Sequence, residues 1–292
     1  ACQSGALEAY IYETLGERKD MTRRLGYIHA AQSAGVLSGS LIGGTIMAIY
    51  PAQGYVVCLS LAILAAVPAL ITAMRLPADV PRAAQTHISL RTILRAGLRA
   101  FIRSGQVLVL FLLMFNLPGS VETHYLWQPY LTGFGVPIAW FGLIAIGINL
   151  TGILGSLLAS WLSQLQQHTV APTTRQVVLA GGSLSLVFLG LVIFAQQAGW
   201  GILALLGLFW LNAVLDPILI TQLNQLFPDE ARATALSGVS WLGSTARMII
   251  RPGIGYLADL NITYPFRWDL VAMGTSLLVV LAYRGVMSEK KE

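Results

Sequence analysis

Six ionisable residues interrupt stretches of sequence that are otherwise apolar, and these side chains are the ones best placed to do chemistry. They are Glu8, Glu122, His124, Asp216, Arg247 and Arg251. A lone charge inside a membrane costs at least about 2.5–3.5 kcal/mol, so each of them needs a partner or a water-filled cavity. A carboxylate beside an arginine can exchange a proton, because burial favours its neutral form and the arginine favours its charged form.

The depths of these residues predict which of them meet. At 1.5 Å per residue from the inner end of each stretch, Glu122 and Arg251 lie at about 24–26 Å. By the same count Arg247 lies at about 20 Å and Asp216 at about 15 Å. Depth therefore predicts a Glu122–Arg251 pair and an Asp216–Arg247 pair. Two interpretations stay open for both carboxylates, which are either proton carriers or members of fixed ion pairs. The two arginines lie four residues apart on one helix face, so an anion-binding stripe is a further alternative to a structural pair.

Polar residues near the two carboxylates are further candidates for the wall of a cavity. Asn116 and His124 lie in the same stretch as Glu122, and Asn212 precedes Asp216 by one helical turn. Aromatic residues in the same region are expected to form an interfacial belt, where aromatic rings are enriched in membrane proteins. They are Tyr125, Trp127 and Tyr130.

The elements that must position these residues are membrane-spanning helices. Hydrophobic residues make up 55% of the 292 residues and charged residues 11%, against roughly 25% charged in an ordinary globular chain. The mean hydropathy is +0.69. A helix needs about 20 apolar residues to cross a bilayer. Nine stretches qualify, the first being short, and together they predict an all-α polytopic membrane protein. The stretches cover roughly 1–15, 27–50, 54–74, 105–131, 136–165, 175–196, 199–226, 232–259 and 267–286.

The net charge of +5 is explained by topology and does not indicate nucleic-acid binding. Most of the 18 basic residues fall in alternate loops, and short loops rich in lysine and arginine stay cytoplasmic. The C-terminus is therefore predicted to be cytoplasmic. The longest polar connection, 75–104, contains apolar residues at helical spacing with arginines four apart on the other face. It is predicted to be a basic amphipathic helix, either a strap between two bundles or a lipid contact.

The order of these elements predicts a protein of two halves, of which this chain contains part of the first and all of the second. Three stretches precede the polar connection and six follow it, and transporters are often built from repeated bundles. The chain starts with Ala1 inside an apolar stretch. We therefore expect the C-terminal part of a longer twelve-helix protein. Its predicted parts are 1–74 from the first half, the linker 75–104, and the complete second half 105–292.

Three segments resemble bacterial permeases of the major facilitator superfamily. SGALEAYIYETL resembles the fourth helix of that family, and LNQLFPDEARATALSGVSWLGSTARMIIRPGIGYLAD resembles the tenth-to-eleventh helix region. GVLSGSLIGG resembles the antiporter motif GxxxGPxxGG of the fifth helix, with Ser40 in place of the proline. The resemblance covers the chain as helices four to twelve. The family has a Gly–Asp–Arg loop in its first half and a related motif at the corresponding place in its second half. In this chain the corresponding segment, Gly155–Leu165, departs from that motif, because Ser160 stands where an acidic residue is expected.

The resemblance implies a secondary transporter of the bacterial inner membrane that works by alternating access. Its cavity would be lined by stretches one, four and seven. Glu13 matches a position that helps close the inner gate of the family. The antiporter motif would seal a helix pair against leakage, and small residues four apart also favour close helix packing. These residues are Gly35, Gly39, Gly43 and Gly44.

The predicted function is therefore transport of a small molecule across the lipid bilayer. Proton coupling and export are the favoured forms. The alternative is a truncated scaffold or sensor without transport. The sequence contains no ATP-binding loop and no metalloprotease or serine hydrolase motif, so an enzyme is not expected. The four histidines are too scattered for a metal site, and no cofactor is expected.

Overall fold

All regular structure in the described part of the chain is α-helical, which confirms the predicted fold class. The computed structural model describes residues 21–50, 53–75, 105–117, 122–137, 140–165, 173–227 and 232–282. Within these ranges the structure contains nine helices. They are α1 (Met21–Ile49), α2 (Gly54–Met74), α3 (Gly105–Phe115), α4 (Glu122–Gly133), α5 (Phe141–Leu165), α6 (Thr174–Phe194), α7 (Ala198–Leu226), α8 (Arg232–Leu260) and α9 (Tyr264–Ala282).

Five of these helices are long and apolar enough to cross a membrane, namely α2, α5, α6, α7 and α9. Helices α3 and α4 are too short, with 11 and 12 residues. Helices α1 and α8 are both 29 residues long, but arginines and other polar residues lower their hydropathy. The chain is therefore an integral membrane protein, and its two most polar long helices are the ones that carry His29, Arg247 and Arg251.

Two predicted boundaries are wrong. The stretch 105–131 was expected to be one helix, but α3 ends at Phe115 and Asn116 lies in a turn. Pro118 follows closely, and a proline disfavours the helical conformation of the residue before it, here Leu117. Helix α1 starts at Met21, six residues before the predicted start at 27. Arginines near this end were assigned to a loop, although a helix can continue past the membrane surface.

Helix α7 lies at the centre of the bundle. Just over half of its residues are buried, whereas Trp200 and Leu203 near its start are exposed. Helices α5 and α6 make its largest contacts, and α1, α3 and α4 also pack against it. Asp216 is therefore carried by the helix with the most neighbours.

Small residues let α5 approach α1 and α7 closely. A Cβ on Gly155 would lie 2.6 Å from the carbonyl oxygen of Trp210 in α7. On the α1 side, Ser160 donates from Oγ to the carbonyl oxygen of Arg23 at 3.1 Å. Such contacts are typical of helix packing in membranes. The segment Gly155–Leu165, predicted as a degenerate loop motif, thus lies in α5, and its small residues pack between two helices.

Two of the three aromatic residues predicted to form an interfacial belt belong to the core instead. Trp127 and Tyr130 are buried, and the Tyr130 hydroxyl donates to the carbonyl oxygen of Val192 at 2.7 Å. Val192 lies in the last turn of α6, where carbonyls lack helical partners. Tyr130 also contacts the ring of Phe266 at 5.3 Å between centroids. Tyr125 alone is exposed.

The C-terminal half of α1 and nearly all of α2 expose apolar side chains. Among the described residues, nothing lies within 4 Å of a Cβ built on Gly35, Gly39 or Gly44, and a Cβ on Gly43 would lie 3.9 Å from the Cys58 sulfur. The predicted sealing role of these glycines stays a prediction. The linker 75–104 with its amphipathic helix, and residues 1–20, lie outside the described residues.

Candidate functional site

Three helices bring ionisable side chains together around Asp216. His29 of α1 places Nδ1 at 3.7 Å from Oδ2 of Asp216 in α7. Arg247 of α8 lies close enough to interact electrostatically with the same carboxylate. The side chains of His29 and Asp216 are 26% and 32% exposed, so the contact is partly shielded from solvent. This cluster is called the Asp216 site below.

The depth of Asp216 matches that of His29, which sequence reasoning did not single out. His29 lies eight residues from the start of α1, or about 12 Å along the helix axis. Asp216 lies ten residues from the end of α7, or about 15 Å. Because the predicted stretch began at 27, His29 was placed at the membrane surface. Extending α1 back to Met21 would have revealed it.

The helix around Asp216 offers polar oxygen atoms. Pro217 follows inside α7 and has no N–H to donate to the carbonyl of Ala213. One turn before Asp216, Oδ1 of Asn212 is buried and has no hydrogen-bond partner among the described residues. Such groups are satisfied by water or by a mobile donor, because an unpaired buried acceptor is costly. One turn from the Asp216 carboxylate, α7 thus carries a buried acceptor that a water molecule can satisfy.

A cavity of about 460 Å³ opens beside Arg247. Its described lining belongs entirely to α8 and consists of residues spaced three and four apart on one face. The lining residues are Ser244, Arg247, Met248, Arg251 and Pro252. This differs from the lining by stretches one, four and seven that the family resemblance implies. Arg247 connects this cavity to Asp216 on α7.

Both arginines stack on aromatic rings from the predicted fourth stretch. The guanidinium carbon of Arg247 lies 5.6 Å from the ring centre of Phe115, and that of Arg251 lies 4.9 Å from the ring centre of Tyr125. A cation over a ring gains about 0.5–2 kcal/mol, depending on its exposure. The two rings therefore lie beside the guanidinium groups on the cavity wall.

The remaining predicted residues are distributed as follows. Asn116 donates from Nδ2 to Oγ of Ser276 in α9 at 2.9 Å, away from the Asp216 site. Glu122 and His124 lie in the first turn of α4, and their side chains lie outside the described part of the structure. The predicted Glu122–Arg251 pair is therefore not described. Glu8 and Glu13 also lie outside the described residues.

One buried carboxylate was missed by sequence reasoning. Asp269 is 8% exposed in the first half of α9. It was overlooked because it lies near the start of its apolar stretch, beside the interfacial residues Arg267 and Trp268. Within the described ranges, no group of three or more histidine, cysteine or acidic side chains is arranged to hold a metal ion.

Comparison with known proteins identifies the fold. No family model matches the sequence, and no curated protein matches it significantly. A solved structure with a similar fold is the crystal structure of a Major Facilitator Superfamily (MFS) transporter, FucP, in the outward conformation. The two chains are 16% identical with a TM-score of 0.54, over 79% of this chain and 54% of that one. This chain thus spans about half the length of that transporter. The helical bundle described here has the fold of a major facilitator superfamily transporter.

Proposed function

We propose that this chain belongs to a secondary active transporter in which Asp216 carries the coupling proton. The observation that supports the proposal is the His29–Asp216 contact of 3.7 Å. It joins α1, from the predicted first half, to α7, from the predicted second half. In alternating access the two halves move relative to each other. A titratable contact between them is therefore a direct way to make that movement depend on a proton.

Charge neutralisation at Asp216 supplies the mechanism. An ionised Asp216 attracts both the guanidinium of Arg247 and a protonated His29, which holds three helices together. A proton on the carboxylate removes this attraction, so the halves separate more easily. The difference in stability between the two arrangements then depends on protonation, as coupling requires. The neutral acid can also be enclosed between the halves at lower electrostatic cost than the carboxylate.

The composition of the Asp216 site favours a proton over a sodium ion. A metal cation prefers a shell of several oxygen atoms, whereas Asp216 has two basic side chains as neighbours. The positive charge of Arg247 repels a metal ion. A proton binds directly to the carboxylate and needs no such shell.

Features of the sequence support the proposed direction and location of transport. The GVLSGSLIGG segment of α1 resembles the antiporter motif, which supports export by exchange with protons. The alternate basic loops support a cytoplasmic C-terminus, and the resembled permeases support a bacterial inner membrane. The absence of hydrolase and nucleotide-binding motifs supports a transporter over an enzyme.

The Asp216→Asn variant tests this proposal. The native protein would be reconstituted in liposomes and screened with labelled organic anions, cations and neutral sugars for exchange without a pH gradient. We expect Asp216→Asn to keep this exchange, because the amide preserves shape and hydrogen bonding. We expect accumulation driven by a pH gradient to fall at least tenfold, because the amide cannot carry the proton.

The matched control is Asp259→Asn, which removes an exposed carboxylate of α8 outside the Asp216 site. It should leave accumulation at the native level. Full gradient-driven accumulation in Asp216→Asn would refute proton carriage by this residue. If the native protein exchanged none of the probes, the scaffold or sensor alternative would be favoured instead.

A further inference from the structure

The described lining of the cavity on α8 carries only positive charge. Its two charged residues are Arg247 and Arg251, and the other lining residues are neutral. Asp216 on the neighbouring helix offsets at most one of these charges. Counting only the described side chains, a cationic ligand would meet net positive charge here, although the nearby aromatic rings alone would suit one.

Asp216 interacts with Arg247, so it does not offset the charge of Arg251. Within the described residues its interaction is the stacking on Tyr125, and no carboxylate there lies within ion-pair distance. It lies nine residues before the end of α8, or about 14 Å along the helix. The Arg251 side chain is exposed, and a positive charge inside a membrane is stabilised by water or an anion.

The geometry of the two arginines suits one shared anion. Residues four apart on a helix lie about 5–6 Å from each other at Cβ. Each guanidinium carbon lies over an aromatic ring, and the N–H donors of a guanidinium lie in its own plane. An oxyanion that accepts from both edges gains charge-assisted hydrogen bonds. The Ser244 hydroxyl one turn away adds a donor, and Met248 and Pro252 supply an apolar wall.

We propose that this cavity binds the substrate of the transporter, and that the substrate is a small organic anion. Its carboxylate or phosphonate-like group would lie between Arg247 and Arg251, with its apolar part against Met248 and Pro252. The cavity volume of about 460 Å³ lies in the range of small-molecule sites. This inference rests on the proposed transport function and names its substrate class.

Four probes of similar size separate charge from shape. Benzoate and phenylphosphonate carry an anionic group on a phenyl ring, benzamide is neutral, and benzylammonium is cationic. Binding to the purified native protein would be measured by isothermal titration calorimetry at a pH where benzoate is ionised. We expect both anions to bind, and benzamide and benzylammonium to bind at least tenfold more weakly.

Arg251→Gln and Arg267→Gln form the matched pair of variants. Arg267 also stacks on a ring, with its guanidinium carbon 5.2 Å from the centre of Tyr264, but it lies outside the cavity. Arg251→Gln should weaken benzoate binding at least tenfold, and Arg267→Gln should leave it unchanged. Equal affinity in the two variants, or native binding of benzylammonium as tight as that of benzoate, would overturn the inference.

Two further outcomes separate this inference from competing explanations. If phosphatidylglycerol in nanodiscs abolishes benzoate binding where phosphatidylcholine does not, the occupant is a lipid headgroup and the substrate assignment fails. If none of the anions binds while Asp216→Asn still removes gradient-driven accumulation of another compound, the substrate class is wrong and the proposed function stands.

Discussion

Replacing Gly155 by leucine is expected to destabilise the folded protein severely. A Cβ at this position would lie 2.6 Å from the Trp210 carbonyl oxygen and 2.8 Å from the Ala213 Cβ. Both atoms are fixed to α7, so neither can move aside as a flexible side-chain tip would. We expect a loss of about 3 kcal/mol, at the upper end for overpacked sites. Urea unfolding in detergent and the monodisperse yield after size-exclusion chromatography would measure it.

Gly190→Leu is the control for this substitution. Gly190 also lies inside a helix, α6, but no described residue lies within 4 Å of a Cβ built there. Leucine favours a helix over glycine by roughly 0.5–1 kcal/mol, so this variant should be as stable as the native protein or slightly more stable. Equal stability of the two variants would contradict the close crossing of α5 and α7.

Replacing Arg247 by glutamine is expected to destabilise the native protein more than it destabilises the Asp216→Asn variant. When Asp216 is ionised, the Arg247 guanidinium offsets part of its negative charge. Without that guanidinium, a carboxylate that is only 32% exposed keeps less compensating charge nearby. In the Asp216→Asn background there is no such charge to compensate. Side chains in contact couple by about 0.5–3 kcal/mol in a double-mutant cycle. We expect this pair to fall in that range when unfolding is measured at neutral pH.

The same cycle has an internal check. Repeating it with Arg267→Gln in place of Arg247→Gln should give no coupling, because Arg267 stacks on Tyr264 at the start of α9. Repeating the original cycle at low pH should reduce the coupling, because a protonated Asp216 no longer attracts the arginine. A coupling of zero at neutral pH would mean that Arg247 does not interact with Asp216 in the folded protein.

Depth along each helix was the part of the site that could be predicted from sequence. The apolar stretches located α7 and α8, and counting residues placed Asp216 and Arg247 at similar levels. The stretches 54–74 and 199–226 agree with α2 and α7 to within one residue. Hydrophobicity locates these helices because a bilayer requires a nearly fixed length of apolar residues.

Helix neighbours were the part that sequence did not reveal. His29 was missed because arginines at residues 23 and 24 made the start of α1 look like a loop. Trp127 and Tyr130 resembled interfacial residues, but both are buried, and Tyr130 contacts residues of α6 and α9 that are far from it in sequence. The glycines that make close contacts, such as Gly155, look no different in sequence from the exposed Gly39. Which face of a helix meets a partner depends on long-range packing.

The central claim is that Asp216 binds and releases a proton, and infrared difference spectroscopy of the purified protein tests it most directly. Spectra recorded between neutral and acidic pH show the C=O stretching band of each carboxylic acid that becomes protonated. We predict a band in the native protein and in Asp259→Asn that is missing in Asp216→Asn. A difference spectrum of Asp216→Asn that superimposes on the native one would show that Asp216 does not change its protonation state, and would contradict the account.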